Sequence, residues 1–421
     1  MLDIQFIRDH ADTVRKAARD KNLNPKVVDE VLRFDAKRRE LRAKVEQLRA
    51  ERNAISKEMA VKKSEELQEQ AGEIKKTLKD IEPQLKKTEA GFSELMLQVP
   101  SVPAPDVPVG LDESGNQVIR RWGTPPSMNF EPKDHVTLGE MHDLIDLDRG
   151  VKIAGFRSFF TKNELVLMEM GLLDFSLKYM VKQGFTPMTV PWLVNDEALY
   201  GTGYFPWGIE DHYSTQDGKK LIGTAEVSLT AYHANETFNE EDLPVKLVGI
   251  SPCFRREVGS YGKDTRGIFR LHQFNKVEQV VLHAADRQES ESWHEKMLSF
   301  SEDILRELEL PYQVVLMCTG DMGAGQVKKY DIETWFPAQN KYRETHSDSF
   351  FYDFQSRRLN MRYRTHQGET KFVYTLNNTV IATPRVLGAI LENYQQKDGS
   401  IIVPSLLRGY VGKDKLTPKN K

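Results

Sequence analysis

The sequence predicts an α+β protein in two parts: a long antiparallel helical hairpin at the N-terminus, then an antiparallel sheet flanked by helices. Three observations carry this prediction. Two heptad-spaced apolar series fill residues 41–95, four prolines fall between Val99 and Val109, and the remainder mixes strand and helix patterns without a regular βαβ alternation. A chain of 421 residues suffices for a large core and two domains. The arm is expected at 1–100, a proline-rich linker and lead-in at 101–123, and the sheet domain at 124–421.

Composition narrows the function classes. With 29% charged residues and a net charge of −3, the chain has no bulk basic signature, so any nucleic-acid contact must be local. Cys253 and Cys318 are far apart and outside any Cys/His cluster, which argues against a disulfide framework or a structural zinc and fits a reducing cytoplasm. Acids and bases interrupt the apolar residues of the first segment, and no apolar run approaches a membrane span. Neither a signal peptide nor an anchor is expected.

In the arm, the first series runs Leu41, Val45, Leu48, Ile55, Met59, with Arg52 filling the slot before Ile55. The second runs Leu67, Ala71, Ile74, Leu78, Ile81, Leu85, Thr88, Phe92, Leu95 without a slip. Only a short polar segment near residues 61–65 separates them, so the helices should fold back on each other. Helices of about 35 residues reach roughly 50 Å, which predicts an arm projecting into solvent. Pro83 removes a backbone donor and should mark a local irregularity. The first helix carries Arg33, Lys37, Arg38, Arg39, Arg42, Lys44, Arg49, Arg52 and Lys57, with Lys62 and Lys63 at the tip, while the second leans acidic. This run suits a solvated coiled-coil face laced with ion pairs; the rival reading is a probe for an RNA backbone.

Beyond the linker, residues 163–183 read as an amphipathic helix ended by Gly184, followed by a strand that Pro187 and Pro191 restrict to an edge or a bulge. Such an edge behind an apolar helix suits a dimer surface, and a plain core helix equally. In LIGTAEVSLT, Thr224 and Glu226 lie two apart and could face one pocket, although the pattern also suits an ordinary strand-to-helix junction. The tail after Gly412 is expected to fray.

The most informative stretch is Ser251 to Glu278, read as a β-hairpin. Period two pairs Arg255 with Glu257 and aligns Arg270, His272, Phe274, Lys276 and Glu278 on one face. That set can clamp phosphates, stack a base and hold an ammonium or hydroxyl; a solvated sheet face with alternating charge would look the same. The loop from Val258 to Gly267, with Lys263, Asp264 and Arg266, reads as a cationic lid or a plain hairpin tip. In YRETHSDS, Glu344 and Ser347 offer oxygen ligands suited to magnesium bridging phosphates. The stretch KFVYTLNNTVIATPRVLGAILENYQ reads as a strand and then a helix with Thr383 as N-cap and Pro384 at the first position. Arg385 then sits in the first turn, where a cation is out of place unless an anion binds both it and the helix N-terminus. Neither a P-loop, a dinucleotide fingerprint, a nucleophile elbow nor an HExxH motif occurs.

Taken in this order, the segments resemble seryl-tRNA synthetases of the bacterial type over nearly the whole chain. The helical hairpin resembles that family's tRNA-binding arm, Pro191 the proline of the first class II motif, FRRE with FRLHQF the second motif, and TPRVLGAILENYQ the third. TAE at 224–226, KVE ending at Glu278 and RETHS ending at Ser347 match segments lining the serine and ATP sites. The resemblance implies a class II antiparallel sheet, a cytoplasmic homodimer, and a ligase that forms seryl-adenylate from ATP and L-serine before charging tRNA(Ser), with tRNA(Sec) left open. Magnesium is expected; zinc, DNA and membranes are not. The resemblance assigns Arg255 to the α-phosphate and Arg385 to the γ-phosphate as catalytic residues, with Phe274 stacking adenine. Arg256, Glu257, Arg270, Thr345 and His346 join the ATP site, and Glu344 with Ser347 holds magnesium. Thr224, Ala225, Glu226, Glu278, Asn377 and Thr379 fall to serine. Four positions depart from the family pattern: Asn378 for a glycine, His346 for a serine, Pro384 for a glycine and Tyr374 for a histidine. The alternatives are an adenylating enzyme with a non-tRNA acceptor, or an inactive coiled-coil scaffold.

Overall fold

The computed structural model describes residues 1–62, 64–258 and 267–419, in two compact units, Met1–Val102 and Pro103–Lys421. Lys63 and the loop residues Lys263, Asp264 and Arg266 lie outside the described residues.

The first unit contains α1 (Ile4–Asp9), α2 (Ala11–Asp20), α3 (Lys26–Val61) and α4 (Glu65–Met96). The Asp3 carboxylate accepts from the Gln5 amide at 2.7 Å and caps α1. The heptads form the seam they predict: Val45, Leu78 and Ile81 are buried between α3 and α4, ringed by Leu41, Leu48, Ile74 and Leu85. Nearer the chain start, Ile7, Val14 and Val28 pack with Met96 and Val99. The two long helices approach so closely that a Cβ on Gly91 would lie 2.6 Å from the Phe34 ring. α4 runs through Pro83 without a break.

Charge completes the pairing. Arg42 bonds Glu89 and Arg49 bonds Glu82 at 2.8 Å across the seam, while Lys37, Lys44, Arg52 and Lys57 remain exposed. The basic run is therefore part ion-paired seam and part solvated face. One carboxylate is different: Asp35 is only 1% exposed and is held by Arg8 at 2.7 Å, Arg38 at 2.9 Å and Arg39 at 3.2 Å. Burial opposes its ionised form, but the guanidinium bonds of Arg8 and Arg38 win and hold it below the usual carboxylate range.

The second unit contains, in chain order, β1 (Gln117–Trp122), α5 (His135–Met141), α6 (Glu164–Lys182), β2 (Thr186–Thr189), α7 (Glu226–Ala231), β3 (Val245–Phe254) and β4 (Gln273–His283). Then come α8 (Arg287–Glu307), β5 (Tyr312–Leu316), β6 (Lys328–Phe336), β7 (Lys341–Tyr352), β8 (Tyr374–Ala382) and α9 (Thr383–Asn393). One eight-stranded sheet has the order β1-β5-β6-β7-β8-β4-β3-β2, antiparallel except where β2 runs parallel to β3. β2 is an edge strand, as Pro187 requires, and β1 at the other edge draws residues 117–122 into the sheet. Met168 and Leu172 of α6, Leu298 and Ile304 of α8 and Val386 and Leu387 of α9 bury the core against Val281, Val314, Ile332 and Phe350. Gly184, at φ +82°, ends the stretch after α6 as the sequence predicts.

Three expectations need correction. The hairpin strands stop at Phe254 and resume at Gln273; one more backbone bond, from the Arg255 amide to the His272 carbonyl at 3.0 Å, extends the pairing, while Glu257 and Arg270 lie beyond it, and Glu257, at φ +57°, has left extended geometry altogether. Thr383 is not the N-cap: the helix begins at Thr383, Ala382 takes the cap position, and the Thr383 hydroxyl donates to Glu169 at 2.8 Å. The described part of the tail, to residue 419, stays in place just after Gly412, because Lys415–Leu416 pairs with Ile401–Ile402 and Leu416 is buried.

Asp35→Ala leaves Arg8 and Arg38 without their shared carboxylate and is expected to cost about 2 kcal/mol, since the partners keep some contact with water. The pairing stabilises the fold above the unfolded carboxylate pKa of about 4 and is lost as pH falls through the lower folded value. Chemical denaturation of parent and variant at pH 7 and pH 3 checks both, and an undiminished gap at the lower pH would contradict the assignment.

Candidate active site

The site is built on one face of the sheet, and two extra residues decide what points there. On β4, period two sends Phe274, Lys276 and Glu278 into a pocket; on the neighbouring β8 the same face carries Asn377 and Thr379. The register then slips by one at Val380, so Ala382 returns to this face and the chain enters α9 with Pro384 and Arg385 on the pocket wall. On β7, Glu344 and Ser347 are three apart and would face opposite sides of a regular strand. A bulge at Thr345 corrects the parity: Glu333 pairs with Glu344 but Ile332 with His346, so Glu344, Ser347 and Ser349 all face the pocket.

Arg255 and Glu257 reach the same space from the turn after β3, and Glu226 from the start of α7. Arg255 is braced by its Nε–H, which donates to the Gly223 carbonyl at 3.3 Å, and its guanidinium lies 5.2 Å from the centre of the Phe274 ring. Arg385 donates from Nε to the Phe269 carbonyl at 3.0 Å and from Nη1 to the Glu344 carbonyl and carboxylate at 2.8 and 3.1 Å.

Two carboxylates lie deep. Glu278 is 1% exposed, ion-paired to Lys276, and accepts from the Thr379 hydroxyl at 3.3 Å. Glu226 accepts from the Tyr204 hydroxyl at 2.7 Å and the Gln355 amide at 2.8 Å. Burial, reinforced by the negative charge of Glu278, pushes the Glu226 carboxyl up to about 7. Glu344 behaves oppositely. Partial desolvation would raise it, but its side chain keeps 46% exposure and Arg385 and Lys329 hold it down at about 2. Its neighbour Asp331 is pushed up to about 7 by burial, against the bond from Lys329 at 3.0 Å, with Glu344 adding to the rise.

The pocket thus gathers Arg255, Glu257, Phe274, Glu344, Ser347 and Arg385 on one part of its wall and Glu226, Glu278, Asn377 and Thr379 on another. Several expected residues stand apart. Thr224 is buried below the lining, its hydroxyl accepting from the Glu226 amide at 3.2 Å, and Ala225 packs in the core. Arg256 turns outward to the Glu210 carbonyl at 2.9 Å, and Arg270, outside the lining, bonds the lining carboxylate of Glu257 at 2.7 Å. Thr345 and His346 border the pocket but bond to each other at 2.8 Å, and burial drives the imidazole down to about 3.

Sequence reasoning missed Tyr204 and Gln355, which lie 22 and 129 residues from Glu226 and carry no local signal. Ser349 was within reach, being two residues from Ser347 on the same strand. Asn378 points away from the pocket, donating to the Met297 carbonyl at 2.7 Å and to Ser301 at 3.0 Å. Tyr374 packs on Tyr352 at 5.0 Å, also outside the lining. Among the described residues no group of three or more His, Cys, Asp and Glu side chains is placed to hold a metal. Glu344 and Ser347 form a smaller, all-oxygen set on one face, which fits a magnesium ion that keeps most of its shell as water and substrate phosphate.

Comparison with known proteins matches both units. Residues 1–103 match the family model described as the seryl-tRNA synthetase N-terminal domain, and residues 210–394 the tRNA synthetase class II core domain (G, H, P, S and T). The chain is similar to a serine–tRNA ligase of Deinococcus radiodurans, 44% identical over 98% of both chains, and to one of Rubrobacter xylanophilus, 40% identical over 100% of both. Among solved structures it is similar to seryl-tRNA synthetase from Pyrococcus horikoshii complexed with ATP, with a TM-score of 0.94 and 38% identity over 100% of both chains. It is also similar to a cytoplasmic serine–tRNA ligase from Naegleria fowleri in complex with AMP, with a TM-score of 0.89 and 31% identity over 100% and 99% of the two chains.

The raised Glu226 carboxyl makes a stability prediction. Its protonated form is favoured on folding, so its contribution is full below the unfolded value of about 4.3 and is lost as pH rises through about 7. Glu226→Gln keeps an acceptor for Gln355 and lets the Tyr204 hydroxyl accept instead of donate. The variant should therefore melt higher than the parent at pH 8, with the gap closing by pH 5; calorimetry that finds the same gap at both pH values would refute the shift.

Proposed function

The chain belongs to the seryl-tRNA synthetase family and is a serine–tRNA ligase, and we propose that this pocket forms seryl-adenylate from ATP and serine with the residues that line it. This reading rests on one enclosure that unites two arginines suited to phosphate with two buried carboxylates suited to an amino acid's polar groups.

The reaction makes few acid–base demands. Serine's carboxylate oxygen attacks the α-phosphorus, a P–O bond forms, the bond to the bridging oxygen of the β-phosphate breaks, and pyrophosphate leaves with the electron pair. The protein's contribution is positioning and charge stabilisation. Arg255 takes the α-phosphate and Arg385 the γ-phosphate, while adenine lies on Phe274, beside which Arg255 already sits. Arg270 steadies Glu257, which orients the nucleotide. Magnesium, held by Glu344 and Ser347, would neutralise phosphate charge.

On the amino-acid side, Glu278 and Thr379 read serine's polar atoms, Asn377 lies beside them, and Glu226 receives the ammonium. A cation arriving beside Glu226 favours its ionised form and reverses the burial effect. A site that hydrogen-bonds a hydroxyl rejects the analogue lacking it by roughly 10⁴–10⁵, which excludes alanine; threonine must be refused by shape. Thr224 acts from below by fixing the first turn of α7. Arg256 stays outside this assignment, because its guanidinium is engaged by the Glu210 carbonyl.

Residues 1–100 serve as the tRNA-binding arm, whose exposed Lys37, Lys44, Arg52 and Lys57 suit a phosphate backbone, and residues 124–421 as the catalytic domain. Val166, Leu167 and Met170 of α6 are exposed, as are Trp192 and Leu193 just past the edge strand, and these apolar side chains support a homodimer through this face. No helix among the described residues is long and apolar enough to cross a membrane, and the cytoplasm is the compartment that supplies tRNA. Full-length similarity, arm included, does not favour an acceptor other than tRNA.

Purified protein is expected to exchange pyrophosphate into ATP with serine and with no other amino acid at comparable rate. Arg255→Ala should lower that exchange by about 10²–10³ while the fold is kept, and near-normal exchange would remove Arg255 from the α-phosphate. Excising residues 42–89, with a short turn joining the helix stubs, should leave exchange within about twofold and lower tRNA charging by about a hundredfold or more. Charging that survives the excision would make the arm a scaffold.

A further inference from the structure

Helix α9 carries two residues seven apart, and so on one stripe, that both grip the same short segment. Arg385, in its first turn, donates to the Phe269 carbonyl at 3.0 Å. Glu392, in its last turn, reaches that segment through an intermediary: its Oε1 accepts from the His135 ring Nδ1 at 2.8 Å and from the His135 amide at 3.1 Å. His135 Nε2 in turn accepts from the Ile268 amide at 3.4 Å. Because Nε2 is an acceptor, the imidazole proton sits on Nδ1 and is donated to the carboxylate.

The contact is built into the chain at three further points. Gly267 has φ +93° and lies so flat on the ring that a Cβ there would stand 2.4 Å from His135 Nε2. The Phe269 ring meets the imidazole edge-on at 5.1 Å. Glu392 Oε2 accepts from the Ala338 amide at 3.1 Å, so the carboxylate that anchors the relay is itself fixed. His135 and Glu392 are 3% and 0% exposed, and neither lines the pocket, whereas Ile268 and Phe269 do.

We propose that His135, held by Glu392, is a positioning residue for the ATP-dependent step: it sets the height of residues 267–269 and, through the Phe269 carbonyl, aims the Arg385 guanidinium into the pocket. The inference rests on the reading of Arg385 as a phosphate ligand. One helix thereby fixes its own arginine, with α5 supplying the strut. A lost acceptor for the buried Ile268 amide loosens the segment at the nucleotide side and leaves the serine side, on β4 and β8, untouched.

The two halves of the imidazole can be tested separately. His135→Asn keeps an N–H near the Nδ1 position for Glu392 but removes the acceptor for Ile268; His135→Gln places a carbonyl near the Nε2 position and gives up the Glu392 bond. In serine-dependent pyrophosphate exchange with the full chain, His135→Asn should raise KM for ATP about tenfold, the cost of one buried hydrogen bond, with KM for serine within about twofold. His135→Gln should hold KM for ATP within about threefold of the parent. A purely structural role predicts the reverse order, because it makes the unpaired Glu392 the greater injury. Equal rises for both substrates, an unchanged KM for ATP in His135→Asn, or a milder effect of Asn than of Gln would each overturn the proposal. If His135→Asn does not fold, His135→Gln decides alone: KM for ATP near the parent value supports the relay, and a tenfold rise overturns it. Arg385→Ala, assayed alongside, separates the two readings. Normal exchange in that variant overturns the phosphate assignment and the relay with it; loss of exchange there, with His135→Asn unaffected, overturns the relay alone.

Discussion

The arrangement of the pocket depends on strand parity and on its interruption at two adjacent places. A regular strand sends alternate side chains to opposite faces, so functional groups at odd separations cannot share a site. Thr345 in β7 and Val380 in β8 are each an extra residue in the ladder, and each shifts the parity of the residues after it. The first shift puts Glu344 and Ser347 on one wall; the second turns the chain into α9 so that Arg385 comes back over the same face. Without the first, the Glu344 carboxylate and the Ser347 hydroxyl would lie on opposite sides of the sheet. Bulges next to functional sites recur for this reason.

The electrostatics depend on how that face is enclosed. Carboxylates taken out of water rise unless a cation reaches them, and the pocket shows both outcomes. Buried Glu226, bonded by the neutral Tyr204 and Gln355, goes up, while Glu344, nearly half exposed and with Arg385 against it, goes down. Glu278 is paired with Lys276, the side chain two residues before it on the same strand. A triphosphate would find the Arg255 and Arg385 guanidinium groups partly buried and held by backbone carbonyls, and a fixed direction is the condition under which electrostatic stabilisation acts strongly.

The same logic serves the arm. Leucine and isoleucine seams hold α3 to α4, and arginines of the first helix meet glutamates of the second at Arg42 with Glu89 and Arg49 with Glu82. What is left over on α3 is exposed and mixed in sign, with Lys37, Lys44, Arg52 and Lys57 standing among Glu40, Glu46, Glu51 and Glu58. Asp35, buried among three arginines, ties α1 to α3 near the chain start.

Features that depend on near neighbours were legible in the residues alone. Heptad spacing gave the seam of the arm, Pro187 gave the edge strand, and the strand-to-helix switch placed Arg385 in a first turn. Among the pocket residues, those on one strand at period two, Phe274, Lys276 and Glu278, could be read for the same reason. Features that depend on distant partners were settled only by the folded chain. Folding put Arg255 and Glu257 into the pocket from a turn instead of a strand, and turned Arg256 outward to Glu210. It brought Tyr204 and Gln355 to Glu226, and it joined His135, Glu392 and Ile268 across 257 and 133 residues of chain. Periodicity reports the direction of a side chain along one element, but a bulge resets that direction. A buried polar partner is chosen by packing in space, which no local spacing records.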